Sequence, residues 1–442
     1  MNDSMPAKNP DMLKSFIPEI AGLRAISLLW MIGFHIVFSF GFHVRADEYR
    51  ERLLHPLLLL LAQGHLGVDL FFVISGYIIF RLLDEELRTQ GNLAIALYYL
   101  RRWLRIFPAY AVVLVFSAWT LGADANLSSS WANFLMINNF LPFQQQALPW
   151  SWSIAIECQF YLLAPWLLLF CHRARGLLRW ICRSESWIGL AWIPLFILFS
   201  ATGIQLWILM EHQPVLHAMT PGLRPQAWLH MPYLFHSEVD WGCFHEYFNV
   251  LYDKPYCRFA PLLFGGWIVA LERNQKVTSW AASAQLWARL AVTMAGILMG
   301  LSIALTAYMS LWVSGNRRLD LVSLSIYRVM FSLAAAYVLL YLIAGRAERR
   351  HSWLARLLSA PIWQGIAAGS YSAYLVHPLI VLALWSAVAA RTAQHGSGVW
   401  LWLVPAAYGL TFACAAILYR TVERPLHELG RHWTRRPPPP RT

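Results

Sequence analysis

The sequence is short of charge. Only 13% of its 442 residues are Asp, Glu, Lys or Arg, and 58% are hydrophobic, whereas a soluble domain carries about a quarter charged residues. That shortage excludes an ordinary soluble globule. Apolar runs recur along the whole length, each of about twenty residues and able to cross a hydrocarbon core of about 30 Å. Acidic residues are the scarcer sign, 23 against 35 Lys and Arg. In a soluble protein the basic excess would suggest nucleic acid. Here the basic residues sit between apolar runs, where they set orientation, so no nucleic-acid partner is expected. Residues 1 to 18 lack an apolar core, which excludes a cleavable leader and leaves the first span as an uncleaved anchor. No internal repeat is visible. Cysteine is sparse, with six residues. Only Cys243 and Cys257 fall in an expected external loop, about 211–258, as a candidate disulfide or two free thiols. A metal set with His230, His236 and His245 matches no zinc spacing, and no metal is expected.

What is present is apolar helix. The reading is an all-α integral membrane protein of about ten spans. They lie near 20–42, 57–80, 106–122, 153–171, 187–210, 259–271, 287–311, 321–344, 363–390 and 400–419. The 23 Trp and 18 Tyr suit membrane interfaces. Lys and Arg crowd onto alternate loops, including Arg81 to Arg105, Arg173 to Arg183 and Arg346 to Arg356, while Gly122 to Trp152 holds neither. That asymmetry places both termini in the cytoplasm. A single membrane domain covers 1–430, and 431–442 reads as a disordered basic Pro-rich tail. Oligomeric state is not legible.

Ionisable residues inside such spans are costly and mark function by default. Arg24 and His35 share one face of the first span, about 16 Å apart along its axis. A phosphate-bearing donor held by Arg24 would reach His35, a general base; the alternatives are a snorkelling arginine and a packing histidine. In Gly64 to Tyr77, Asp69 sits near mid-span with His65 one turn before it, so it either supports a catalytic histidine or forms a structural pair with His65. Gly64, Gly67 and Gly76 allow close helix approach. Arg101 and Arg105 share a face with Arg102 beside them, which is either a donor-phosphate patch or positive-inside anchoring. Ser153, Glu157 and Tyr161 follow at four-residue steps. Glu157 is a second acid/base or hydroxyl-binding group, or the partner of Arg258 or Arg328. Ser370, Tyr374 and His377 share a face before Pro378, and Glu423 and Arg424 close the last span.

Six segments resemble, in order, the acyltransferase-3 family of bacterial membrane proteins, the O-antigen acetylase-like group. They are GLRAISLLWMIGFH, GVDLFFVISGY, RRWLRIFPAY, WSIAIECQFYLLAP, SYSAYLVHP and YRTVERP, spanning residues 22 to 425. The family's Arg and His fall on Arg24 and His35, and its basic motif on Arg101, Arg102 and Arg105. The resemblance implies O-acyl transfer, most simply O-acetyl transfer. The acyl group would pass from cytoplasmic acetyl-CoA or another acyl-CoA, as co-substrate, to a hydroxyl of an extracytoplasmic glycan or glycolipid. No permanently bound cofactor is implied. The expected setting is the bacterial inner membrane, with the lipid bilayer as constant partner. On this reading His35, Asp69 and Glu157 are catalytic and Arg24, Arg101, Arg102 and Arg105 bind the donor. Ser153, Tyr161, Tyr374 and His377 contact the acceptor. The chain stops soon after the last span, without the extra domain some members carry. Two other readings remain open: a proton-coupled transporter or flippase for a glycan or small anion, and an inactive scaffold.

Overall fold

A computed structural model describes residues 17–40, 51–121, 127–181, 187–211, 248–283, 285–311, 317–348, 352–389 and 398–433. These residues form helices, and no strand occurs among them. That is what the apolar runs demand, because in lipid a helix satisfies its own backbone hydrogen bonds.

In chain order the elements are α1 (Pro18–Phe40), α2 (Pro56–Ala62), a 3₁₀ turn at Gln63–His65, α3 (Leu66–Gln90), α4 (Ile95–Leu121), α5 (Ser130–Phe134), α6 (Trp152–Ile181) and α7 (Trp187–Glu211). A π turn at Phe248–Tyr252 then leads into α8 (Pro255–Glu272), α9 (Gln275–Ala281), α10 (Leu286–Leu311) and α11 (Arg317–Ala347). The last are α12 (Trp353–Leu358), α13 (Ile362–Ala368), α14 (Ser370–Ala389), α15 (Gly398–Leu418) and, after a π turn at Tyr419–Glu423, α16 (Arg424–Trp433). Proline opens α1, α2 and α8, where its missing N–H is not needed. Gly91, at φ 69°, ends α3 in the left-handed conformation that glycine adopts without strain.

Nine spans among the described residues are long and apolar enough to cross a membrane. The expected span at 259–271 exists as α8 but is not one of the nine. It carries Arg258 and Glu272 and packs among α3, α7 and α11. Protein rather than lipid surrounds it, so it does not need their apolarity. The motif-bearing helices also outrun their apolar runs. α4 begins at Ile95 rather than 106, because Arg101, Arg102 and Arg105 are good helix formers that an apolar window does not detect. The expected span at 363–390 is broken at Gly369 into α13 and α14.

α1 and α11 each bury 67% of their most apolar stretch, against 17% for α10, so the first two are central and the last is peripheral. Trp119, Phe170, Phe196, Phe199, Trp287 and Leu401 point outward, as lipid-facing side chains do.

The tightest packing joins α3 to α8 at two facing glycines. A Cβ on Gly76 would overlap the carbonyl oxygen of Leu262, and one on Gly265 would overlap that of Val73. Gly64 and Gly67 admit the carbonyls of Trp30 and Ser27 on α1 in the same way. The expected role of these glycines is therefore met, and neither interface has a flexible side chain to yield. Gly76→Val and Gly265→Val are each expected to destabilise the protein by about 1–3 kcal/mol or more. Thermal unfolding in detergent checks this, with Gly203→Val as control, since a Cβ there meets open space.

Candidate active site

Three helices place their polar faces against one another. α1 brings Arg24 and His35, α6 brings Ser153, Glu157 and Tyr161, and α14 brings Ser370, Tyr374 and His377. The faces read from the sequence are paired in register. Arg24 Nη2 donates to Ser370 Oγ at 2.9 Å. Ser153 and Tyr374 share a hydrogen bond, and the Tyr374 hydroxyl also donates to the Trp150 carbonyl at 2.6 Å. His377 Nε2 lies 3.1 Å from His35 Nδ1. α14 therefore runs alongside α1 in the same direction.

The hydrogen-bond pattern assigns the histidine tautomers. His377 Nδ1 lies 2.7 Å from the Tyr374 carbonyl and 3.3 Å from that of Ala373. A carbonyl only accepts, so Nδ1 carries the proton and Nε2 is an acceptor when the ring is neutral. His35 Nδ1 must then donate, shared between His377 Nε2 and the Met31 carbonyl at 3.0 Å. His35 Nε2 is left with the lone pair, as a general base requires.

Two adjoining cavities lead toward this pair. The first, of about 480 Å³, is lined by Arg24, Arg102, Arg105, Glu157 and Tyr161, with Phe71 and Tyr371. Arg24 lies over the Phe71 ring at 5.4 Å and Arg102 over the Tyr161 ring at 6.0 Å. Glu157 accepts a hydrogen bond from the Tyr161 hydroxyl. The second cavity, of about 440 Å³, shares Phe71, Glu157 and Tyr371 with the first and continues past Ser153 and Tyr374 to Met31. Its other walls include Leu28, Val68, Phe72 and Ile154. His35 follows Met31 by one turn and His377 follows Tyr374 by one turn. A cationic chamber thus adjoins a mostly apolar cavity that ends at Met31 and Tyr374, one turn before the two histidines.

Several expectations change. Arg101 does not line the chamber; Arg102 and Arg105, three residues apart, do. Asp69 does not touch His35. It is fully buried between Arg258 at 3.2 Å and Arg328 at 2.8 Å. Those two arginines are therefore not the partners of Glu157. His65 does not pair with Asp69 either, because Gln63–His65 is a 3₁₀ turn and breaks the four-residue spacing. The His65 ring packs edge-on against Phe34 and Tyr327 instead. The group beside the candidate base is His377, which the sequence reading placed among acceptor contacts. Cys257 is buried at the start of α8, while Cys243 and the histidines near it lie outside the described residues.

One polar assembly escaped the sequence reading. Between α4 and α6, Asn133, Asn138, Asn139, Gln146 and Ser151 are all buried. Asn133 donates to Tyr110 at 2.8 Å, and Tyr110 meets Ser151 at 3.0 Å. Gln146 donates to Asp253 at 2.9 Å, and Lys254 pairs with the same carboxylate at 2.8 Å. Burial pushes Asp253 up to about 6, opposed by Lys254. The signal was available: five amide and hydroxyl residues in a stretch with no Lys or Arg, which reads as solvated loop until the fold buries it. The assembly supports the first turn of α6 and hence Ser153 and Glu157.

An acyltransferase domain family matches residues 17–420, nearly the whole chain. The chain belongs to the acyltransferase-3 family. Among curated proteins it is 30% identical over 175 residues to the peptidoglycan O-acetyltransferase OatA of Listeria monocytogenes, covering 35% of this chain and 25% of that protein. A putative O-acetyltransferase of Staphylococcus aureus is 32% identical over 170 residues, with the same coverage of each chain. The nose resistant to fluoxetine protein 6 of Caenorhabditis elegans is 21% identical over 409 residues, covering 83% of this chain and 45% of that protein. The matched segment therefore spans only a quarter of the bacterial relatives' length. No solved structure matches the chain. Family membership and the nine apolar spans agree on a multi-pass membrane protein.

Proposed function

We propose that this member of the family is an O-acetyltransferase of the bacterial inner membrane, with both termini cytoplasmic. It would carry an acetyl group from cytoplasmic acetyl-CoA to a hydroxyl of an extracytoplasmic glycan or glycolipid. The observation that carries the reading is the pair of adjoining cavities that runs from the arginine chamber to Met31 and Tyr374, one helical turn short of His35 and His377. Guanidinium groups suit the phosphates of a nucleotide-type donor. The apolar cavity suits its uncharged pantetheine arm, and the distance from Arg24 to His35, about 16 Å along α1, suits the arm's length.

At the far end His35 Nε2 takes the proton of the attacking hydroxyl. The hydroxyl oxygen bonds to the thioester carbonyl carbon, the C–S bond breaks, and the thiol leaves with a proton. Acyl transfer through His35 itself uses the same geometry, with Nε2 as nucleophile. As His35 becomes positively charged, its Nδ1–H bond to His377 strengthens. Ser153 and Tyr374, in the second cavity, would give a hydroxyl-bearing acceptor polar contacts.

The test is transfer of labelled acetyl from acetyl-CoA to surface glycans by purified protein in liposomes. Label in a glycan supports the reading; no transfer and no release of CoA by folded protein rejects it. The geometry also separates the arginines. Arg102→Gln is expected to raise the KM for acetyl-CoA roughly 10- to 100-fold, the loss of a hydrogen bond to a charged group, with kcat at saturating donor nearly kept. Arg101→Gln, outside the chamber, is expected to change KM less than about threefold. Equal effects of the two changes would remove Arg102 from the donor site.

A further inference from the structure

The motif YRTVERP, residues 419–425, has no part in the acyl-transfer path described above. It forms the π turn at Tyr419–Glu423, which packs on α4 and leads into α16, whose Gly430 sits against Leu104 of α4. Glu423, the last residue of the turn, is buried. We propose that Glu423 is a positioning residue of the donor site. Held by Ser372 behind the chamber wall, its carboxylate tempers the pull of Arg24 and Arg105 on the donor's phosphates without pairing with either. The inference rests on the donor reading of the chamber.

Three observations carry it. First, consecutive side chains at the start of α14 tie it to three other elements. Ser370 accepts from Arg24 of α1 at 2.9 Å. The Tyr371 hydroxyl donates to the Ile106 carbonyl of α4 at 2.8 Å, and the Ser372 hydroxyl donates to Glu423 Oε2 at 2.6 Å. Tyr371 lines the chamber, so Glu423 stands one residue behind its wall. Second, the cations whose charge acts on Glu423 are Arg105 and Arg24, and both line the chamber. Among the described residues neither arginine forms an ion pair with a carboxylate; the Glu423 carboxylate is bonded to Ser372 instead. Third, Ser372 and Glu423 are both buried, so the charge is felt through a wall of low dielectric. A buried carboxylate beside a phosphate site opposes the binding of anions. The donor and its product CoA carry the same phosphates, so a stronger hold would tighten both alike and slow product release. The tethered carboxylate limits that hold. Released from Ser372, it would pair with the arginines and compete with the phosphates.

The test is the Kd of CoA for the full-length protein in detergent, measured by titration calorimetry, with pantetheine as a probe that carries no phosphate. Glu423→Gln keeps an acceptor for Ser372 and removes the charge. It is expected to tighten CoA about three- to tenfold and to leave pantetheine unchanged. Ser372→Ala keeps the charge and removes its tether, and is expected to weaken CoA about threefold or more. The double variant should resemble Glu423→Gln. Opposite shifts within one hydrogen-bonded pair are not what a loss of packing produces. Ser372→Ala removes a single buried oxygen, so the test survives if Glu423→Gln fails to fold. Glu428→Gln, which removes an exposed acid of α16, should change the Kd less than about twofold. No saturable binding of CoA by the parent protein would remove the donor reading and this inference together. Binding that neither variant shifts, that both shift in one direction, or that Glu428→Gln tightens equally would overturn this inference alone.

Discussion

Replacing His35 with alanine is expected to lower acetyl transfer per folded molecule by a factor on the order of 10²–10⁴, the usual contribution of a positioned general base. The expectation follows from the tautomer argument. His377 Nδ1 is committed to the Tyr374 carbonyl, so His35 Nδ1 donates to His377 and His35 Nε2 alone is available to accept a proton. The same chain makes a graded prediction for His377→Ala. That change removes one acceptor from a ring that becomes positively charged, a hydrogen bond worth about 1.5–3 kcal/mol. Transfer should fall roughly 10- to 100-fold. The measurement is kcat in liposomes, normalised to folded protein, for both single changes and the double change. Residues acting as one unit are strongly non-additive, so the double variant should be hardly slower than His35→Ala alone. Full independence of the two losses would show that the histidines do not work as a pair. Unimpaired transfer by His35→Ala would remove the base from this site.

Asp69→Asn is expected to act on stability and to leave catalysis largely alone. The carboxylate sits between two buried guanidinium groups, whereas His35 Nδ1 is bonded to Met31 and His377. Removing one member of a buried ion-paired set costs about 3–5 kcal/mol, because the remaining charges lose their compensation. A lower unfolding midpoint and a smaller folded fraction should result, with kcat per folded molecule within a few-fold of the parent. Unfolding in detergent and single-turnover transfer, measured on the same preparation, separate the two effects. A variant that folds normally but loses transfer would return Asp69 to the catalytic group. A second carboxylate, Glu157, provides the contrast. It lines both cavities of the path and is held by Tyr161 rather than by an arginine pair.

Much of the architecture was legible in the chain itself. Long apolar runs dictate membrane helices, because backbone groups in lipid must pair within the segment. Helical spacing put Arg24 with His35, Ser153 with Glu157 and Tyr161, and Ser370 with Tyr374 and His377 on shared faces, and each of these faces lines or adjoins the path. Six motifs in order identified the family. What sequence spacing could not supply is which faces meet. Periodicity describes one helix, whereas His35 and His377 are brought together by α1 and α14, 342 residues apart. The partners of Asp69, 189 and 259 residues away, were equally out of reach. Charge alone made Arg258 and Arg328 as plausible for Glu157 as for Asp69. Tertiary packing made the choice, through glycine contacts that press α3 onto α8 and bring Asp69 to Arg258 rather than to His65. The sequence by itself determined that the chain is a membrane helix bundle with buried ionisable groups. Only the fold decided which of those groups form a path to a base and which neutralise one another, because a charge in a low-dielectric interior is governed by whichever neighbours the packing places beside it.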